Sequence, residues 1–410
     1  MTSAATPRPP AKFDLGFREF VALIAALMGA NALAIDIMLP ALPAIGDAVG
    51  IPTENDRQWI ITAFMLAFGF GQILYGPLSD RFGRRRILLI GLTIYTAFGF
   101  LATFATSFES LMIARAGQGL GAGATRVLAV SIVRDRFAGR QMARVMSLVF
   151  IVFLAIPIIA PSVGQAILLV APWRWIFGLL AGFGGLLMIW AAVRLPETLH
   201  PEDRRPFSLP AIASGLRLTL SARQSVGYMM AMAVTFGALL GFINSAQQIF
   251  AGPLQAEKLF PLIFAGTAVA LAIASLINSR IVERLGMRVV SHAALLGYVT
   301  VATVHVIVAW SGLETLWTFA VLQGATMFCF GLMGSNFGAL AMEPMGHIAG
   351  TASSVQGFCS TIGAALVGFF IGQQFDGSTV PLTLGYLGSG IVALAIVYVT
   401  EKGRMLRPSH

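Results

Sequence analysis

Three charged side chains fall well inside long apolar runs of this sequence: Asp36, Arg115 and Arg126. A charge at membrane depth is costly, and where it occurs it faces a cavity or a partner. Asp36 lies in residues 31–43, N-A-L-A-I-D-I-M-L-P-A-L-P, where Pro40 and Pro43 end or kink the run. A carboxylate there can bind and release a proton. A structural ion pair that never titrates is the other role open to it. Arg115 is about six residues, roughly 9 Å, from the outer end of its run, and Asp36 is roughly 8 Å from the outer end of its own. That shared depth permits a pair, in which the guanidinium favours the carboxylate and burial favours the acid. Arg126 follows Arg115 by about three helical turns, on nearly the same face. It suits contact with a polar or anionic part of a substrate, or hydrogen bonds to backbone carbonyls.

Such residues need helices to hold them within a bilayer. Hydrophobic residues fill 57% of the 410 positions and charged residues 11%, against roughly 25% charged in a soluble domain. The apolar runs repeat from end to end, and a helical span needs about 20 apolar residues. Twelve fit, over 18–41, 58–77, 87–106, 109–133, 143–170, 173–193, 225–250, 260–279, 289–310, 315–342, 350–373 and 380–400. The 44 glycines suit close helix packing. With the N-terminus placed in the cytoplasm, 22 of the 27 Lys and Arg fall on the cytoplasmic side. Only Arg57, Arg174 and Lys258 fall outside, and Arg115 and Arg126 stay within a span. This asymmetry puts both termini in the cytoplasm. The net charge of +9 is then a topology signal, not the footprint of a nucleic-acid partner. The polar, Pro-rich start holds no short apolar core with a cleavage site, so no removable signal peptide is expected. Cys329 and Cys359, in separate runs, read as packing residues and not as a disulfide or metal site.

Several ordered motifs add to this. The loop after the second run reads Gly76-Pro-Leu-Ser-Asp80-Arg81-Phe-Gly83-Arg84-Arg85-Arg86. Gly and Pro allow a tight reversal. Asp80 can pair with a nearby arginine or cap a facing helix N-terminus. The pattern resembles the signature loop between helices 2 and 3 of the major facilitator superfamily. Leu111-Met-Ile-Ala-Arg115-Ala-Gly-Gln118-Gly119-Leu-Gly121-Ala-Gly123 resembles that superfamily's span-4 motif. The resemblance gives Arg115 a link to proton transfer. Pro157, Pro161 and Gly164 resemble the span-5 motif typical of proton antiporters, although Ala160 and Gln165 stand where glycines are usual. With residues 31–43, Val133-Arg134-Asp135 and Leu195-Pro-Glu197-Thr198-Leu-His200, the first half is similar to the bicyclomycin/chloramphenicol-resistance subfamily of drug exporters. This likeness implies an all-α integral membrane fold, with twelve transmembrane helices in two six-helix pseudo-repeats around a central cavity. It also makes Gly76, Asp80, Arg81, Gly83 and Arg84 a conformational-switch loop, with Asp80 facing the helix that starts near Gly350.

The expected organisation is a cytoplasmic tail (1–17), a six-helix bundle (18–194), a cytoplasmic linker (195–224), a second bundle (225–401) and a tail (402–410). Glu283-Arg284-Leu285-Gly286-Met287-Arg288 echoes the signature loop in the second half, as parallel repeats around a midplane site would. The candidates for a substrate cavity are Arg126, Gln72, Asn244, Gln247, Gln323, Met327, Phe330 and Asn336. Flexible Met and aromatic walls with a few polar anchors suit a polyspecific site. Helix packing for the Met and Phe, and interhelical hydrogen bonds for the amides, are the plainer roles. His305 reads as a packing residue and His347 as a loop residue. The expected activity is proton-driven export of small amphipathic compounds, drugs included, by a monomer in a bacterial inner membrane. Its partners are substrate, protons and lipid, with no nucleic acid, no metal and no cofactor beyond the proton gradient. Uptake of a metabolite, anionic solute or metal chelate on the same fold is the alternative. No spaced histidine cluster or nucleophile set points to an enzyme, and a channel accords less well with paired halves and an asymmetric proton site.

Overall fold

The computed structural model describes residues 15–137, 139–204 and 209–406. Arg8, Lys12, Arg205 and Arg407 of the expected cytoplasmic set lie outside the described residues. The first half contains α1 (Phe17–Asp36), a short α2 (Leu42–Val49), α3 (Trp59–Phe82), α4 (Arg84–Thr103), α5 (Phe108–Arg136), α6 (Gly139–Val170) and α7 (Arg174–Arg194). A connecting α8 (Leu209–Ser221) follows. The second half contains α9 (Arg223–Ala251), α10 (Phe260–Leu285), α11 (Met287–Trp310), α12 (Leu316–Met342), α13 (Ala349–Gln373) and α14 (Val380–Thr400).

Among the described residues, eleven spans are long and apolar enough to cross a membrane. The expected twelfth is α5, which falls short by composition: its interior carries Arg115, Gln118, Thr125, Arg126 and a run of glycines. It packs against α3 and α4 and touches α1 and α6. Glycine makes this possible, since a Cβ at Gly119 would lie 2.1 Å from the Phe64 carbonyl oxygen and one at Gly121 would lie 2.4 Å from the Tyr95 nitrogen.

Local signals recur at matching places in the two halves. α5 opens on a capping box between Ser107 and Ser110, and α12 on one between Thr315 and Thr318, each satisfying amides that the first helical turn leaves unpaired. α3 and α4 are joined by Gly83 at φ +97°, and α10 and α11 by Gly286 at φ +82°. Backbone with positive φ strains any residue with a Cβ, which accounts for glycine at both joints. α1 ends at Asp36, short of the expected residue 41. Continuing the helix would require an amide from residue 40 to the Asp36 carbonyl, and Pro40 has none. A short 3-10 turn, Leu39–Ala41, redirects the chain into α2. α6, by contrast, runs on through Pro157 and Pro161.

The halves meet chiefly along α3 and α13 and along α6 and α10. Near the start of α3 the seam is a cluster of amides. Asn55 donates to the carbonyls of Gln373 (3.1 Å) and Phe375 (3.0 Å), and Gln248 donates to Asn55 (2.8 Å). Gln58 donates to Gln248 and to the Gly372 carbonyl, both at 2.9 Å. Farther along α3, Gln72 donates to Thr361 (2.9 Å), and Gly76 lies close against Ser354. Part of the connection between the halves is helical, as its polar, Pro-rich sequence does not suggest. α8 lies on α9 and α13, with Gly215 against Thr351.

Candidate functional site

Asp36 is the last residue of α1 and is 4% exposed. Among the described residues its carboxylate has no hydrogen-bond or salt-bridge partner. The pairing with Arg115 that their depth allows is not made. Arg115 is fully buried. It donates to the carbonyls of Ala34 and Ile60, each at 3.0 Å, and to the Gln118 side chain at 2.5 Å. Its guanidinium carbon also lies 4.4 Å from the centre of the Phe64 ring. Arg115 thus ties α5 to α1 and α3 two residues before Asp36, and holds the end of α1 without neutralising its acid. On the other side, Gly164 of α6 backs onto the residue after Asp36: a Cβ there would sit 1.9 Å from the Ile37 carbonyl oxygen. Asp36 and Gly164, assigned to different motifs, are therefore neighbours along one helix contact.

Arg126 projects into a cleft of about 270 Å³ between α3, α5 and α13. Gln72, Ser131, Arg134, Met232 and Gln356 also line it. Among the described residues Arg126 has no hydrogen-bond or ion-pair partner and is exposed to the cleft. The carbonyl contacts that sequence allowed for it are absent there, and its donors face open space.

The signature loop closes one end of this cleft. Arg84 is 4% exposed and reaches Asp80 (2.6 Å), Asp135 (2.9 Å) and the Ser79 hydroxyl (2.6 Å). Glu197, just past α7, accepts from the amides of Arg84 (2.7 Å) and Arg85 (3.3 Å) at the start of α4. Asp80 and Gly76 border the cleft opposite Gly350 and Ser354 of α13. Arg81 stacks on Phe82. The second half repeats the device. Arg288 joins Glu343, past α12, at 2.9 Å and Glu401, past α14, at 3.1 Å, while the Tyr228 hydroxyl donates to Glu401 at 2.7 Å.

The remaining cavity candidates do not converge. Gln323 donates to the Tyr386 hydroxyl at 2.7 Å, fully buried inside the second bundle. Asn336 donates to Asn278 at 2.8 Å, an interhelical bond between α12 and α10. Met327 belongs to the hydrophobic core, and Phe330 stacks on Phe236 of α9. Each of these four thus has a packing or hydrogen-bond partner within its own half. Asn244 is buried beside Gly372, and Gln247 borders a pocket of about 150 Å³ with Pro40 and Gln165. His305 is not alone: its Nε2 lies 2.9 Å from Glu314, whose other oxygen accepts from Thr379. Asn55, Gln58 and Gln373 escaped the sequence reading, because a polar residue at a span end looks the same whether it faces water or another helix.

Paired helical bundles with a polar cleft at their seam define a membrane transport protein. Residues 24–368 match the Major Facilitator Superfamily, and the chain belongs to that family. It is 27% identical to a bicyclomycin resistance protein homolog of Haemophilus influenzae, over 95% of this chain and 97% of that one. It is 29% identical to a chloramphenicol resistance protein of Pseudomonas aeruginosa, over 82% and 79%. A crystal structure of a D-xylose-proton symporter shares its fold at 13% identity, with a TM-score of 0.73 over 95% of this chain and 98% of that one. A small-molecule substrate and a lipid bilayer follow from the family.

Proposed function

We propose that this protein exports small amphipathic compounds, drugs among them, in exchange for protons. It does so as a monomer in a bacterial inner membrane, with both termini in the cytoplasm. The proton gradient is its driving force, and neither a cofactor nor nucleic acid takes part. The observation that carries this reading is the buried carboxylate of Asp36 at the broken end of α1, without a partner among the described residues. A buried charge without a counter-ion is costly, whereas a protonated acid is tolerated. A compound bound near α1 could exchange with that proton once water reaches the site. Arg115 positions the end of α1, and the helix contact at Gly164 couples the acid to α6. Arg84 and Arg288 hold the cytoplasmic ends of the two halves together internally, so that each half moves as a unit.

The test is proton release when candidate compounds are added to detergent-purified protein, wild type beside Asp36→Asn. Release from wild type alone supports exchange through Asp36, and equal release from both removes Asp36 from the mechanism. A second reading, uptake of an anionic metabolite or metal chelate, draws on the Arg126 guanidinium that lines the cleft. Accumulation of a drug in cells with and without the protein separates the two: lower accumulation supports export and unchanged or higher accumulation supports uptake.

A further inference from the structure

One cavity lies away from the seam. It is a groove of about 790 Å³ between α4 and α7, at the end of the molecule opposite the signature loop. Its floor is made of small residues, Ala97, Gly178, Ala181 and Gly182. Its walls are Phe100 (57% exposed) from α4, Phe104 (63%) just past it and Trp175 (64%) from α7. From Thr103 to Thr93 the groove follows α4 for about 15 Å, which is the depth of one leaflet in a hydrocarbon core of about 30 Å.

Arg174 stands at the mouth. One of its donors goes to the Ala105 carbonyl at 3.1 Å, and its guanidinium carbon lies 4.4 Å from the ring centre of Trp173. Among the described residues it has no carboxylate partner. Arg57, on the same end of the molecule, is by contrast paired with Asp47 at 3.2 Å. An arginine held at the membrane interface with donors to spare matches a phosphate, and an apolar trough one leaflet deep below it matches an acyl chain.

We propose that this groove is a phospholipid site. The glycerophosphate is held by Arg174, and one acyl chain lies over Gly178 and Gly182 between Phe100 and Trp175. With the orientation proposed above the lipid belongs to the outer leaflet, but the site itself does not depend on transport. It does not touch Asp36, Arg126 or the seam, so its occupancy and the transport reading can fail separately.

Native mass spectrometry of the full chain, with synthetic phosphatidylglycerol added in detergent, tests the site. A Cβ at Gly182 meets nothing within 4 Å, so Gly182→Trp fills the trough without disturbing the backbone. Gly266→Trp is the control, because a Cβ at that exposed glycine on α10 also meets nothing. Wild type and Gly266→Trp are expected to retain one lipid through gas-phase activation. Arg174→Gln should weaken retention about tenfold, the loss of one charge-assisted contact. Gly182→Trp should abolish it while thermal stability stays at the wild-type value. Equal retention by all four proteins would overturn the proposal. So would equal binding of a diacylglycerol, which has the chains without the phosphate, or displacement of the lipid by transported compounds, which would make the groove a substrate path.

Discussion

Replacing Gly164 with alanine is the sharpest test of the contact between α1 and α6. The added Cβ would lie 1.9 Å from the Ile37 carbonyl oxygen, where ordinary contact begins at 3.4 Å. The obstacle is backbone, so it cannot rotate away, and the helices must part by roughly 1.5 Å. Overpacking of this kind costs about 1–3 kcal/mol, and so close an approach belongs at the upper end. Alanine returns about 1 kcal/mol in intrinsic helix propensity, which leaves a net loss of about 2 kcal/mol. Gly266→Ala gains the propensity without the clash and should be neutral or slightly stabilising. Thermal unfolding of the purified proteins in one detergent measures both. The displaced group adjoins Asp36, so Gly164→Ala should also diminish compound-induced proton release. A Gly164→Ala protein as stable as Gly266→Ala, with full proton release, would refute the proposed link between α6 and the acid.

Arg84→Ala should destabilise the first half by about 3 kcal/mol in thermal unfolding, because it strips a buried cation from two carboxylates. Arg84→Lys should recover less than half of that, since lysine cannot bridge two acids with a planar fork. Arg126→Gln should weaken binding of compounds with an anionic substituent about tenfold and leave neutral ones unchanged, as measured by quenching of intrinsic fluorescence. Gln323→Leu should leave the compound profile intact and cost about 1–3 kcal/mol of stability, since the buried Tyr386 hydroxyl loses its bond to Gln323. A changed profile would place Gln323 in the substrate path.

The fold was legible because a bilayer imposes long apolar runs, and these survive in a single sequence. The signature loop was legible as an ordered pattern: Gly83 is required by positive φ, and Asp80 and Arg84 by their charges. Helix facing was not legible. Asp36 and Arg115 share a depth, yet the guanidinium turned to carbonyls on two helices. Gln323 and Asn336 look like cavity amides until Tyr386 and Asn278 appear beside them. Glu197 lies more than a hundred residues from the amides it caps, and no local pattern announces such a bond. The glycine of the span-5 motif was identified, but its contact with the chain after Asp36 depends on how α6 crosses α1.

The amide cluster of Asn55, Gln58, Gln248 and Gln373 has a consequence for how opening is governed. Every bond in it joins neutral groups, and water can replace each partner at a net cost of about 1 kcal/mol or less. Such a clasp neither titrates nor responds to ionic strength, whereas a clasp of exposed ion pairs would weaken as salt rises. The salt bridges at Arg84 and Arg288 stay within their own halves and impose no such dependence on the cluster. Opening this end therefore exchanges one set of neutral hydrogen bonds for another to water, at a cost set by how many amides are wetted and not by pH or salt.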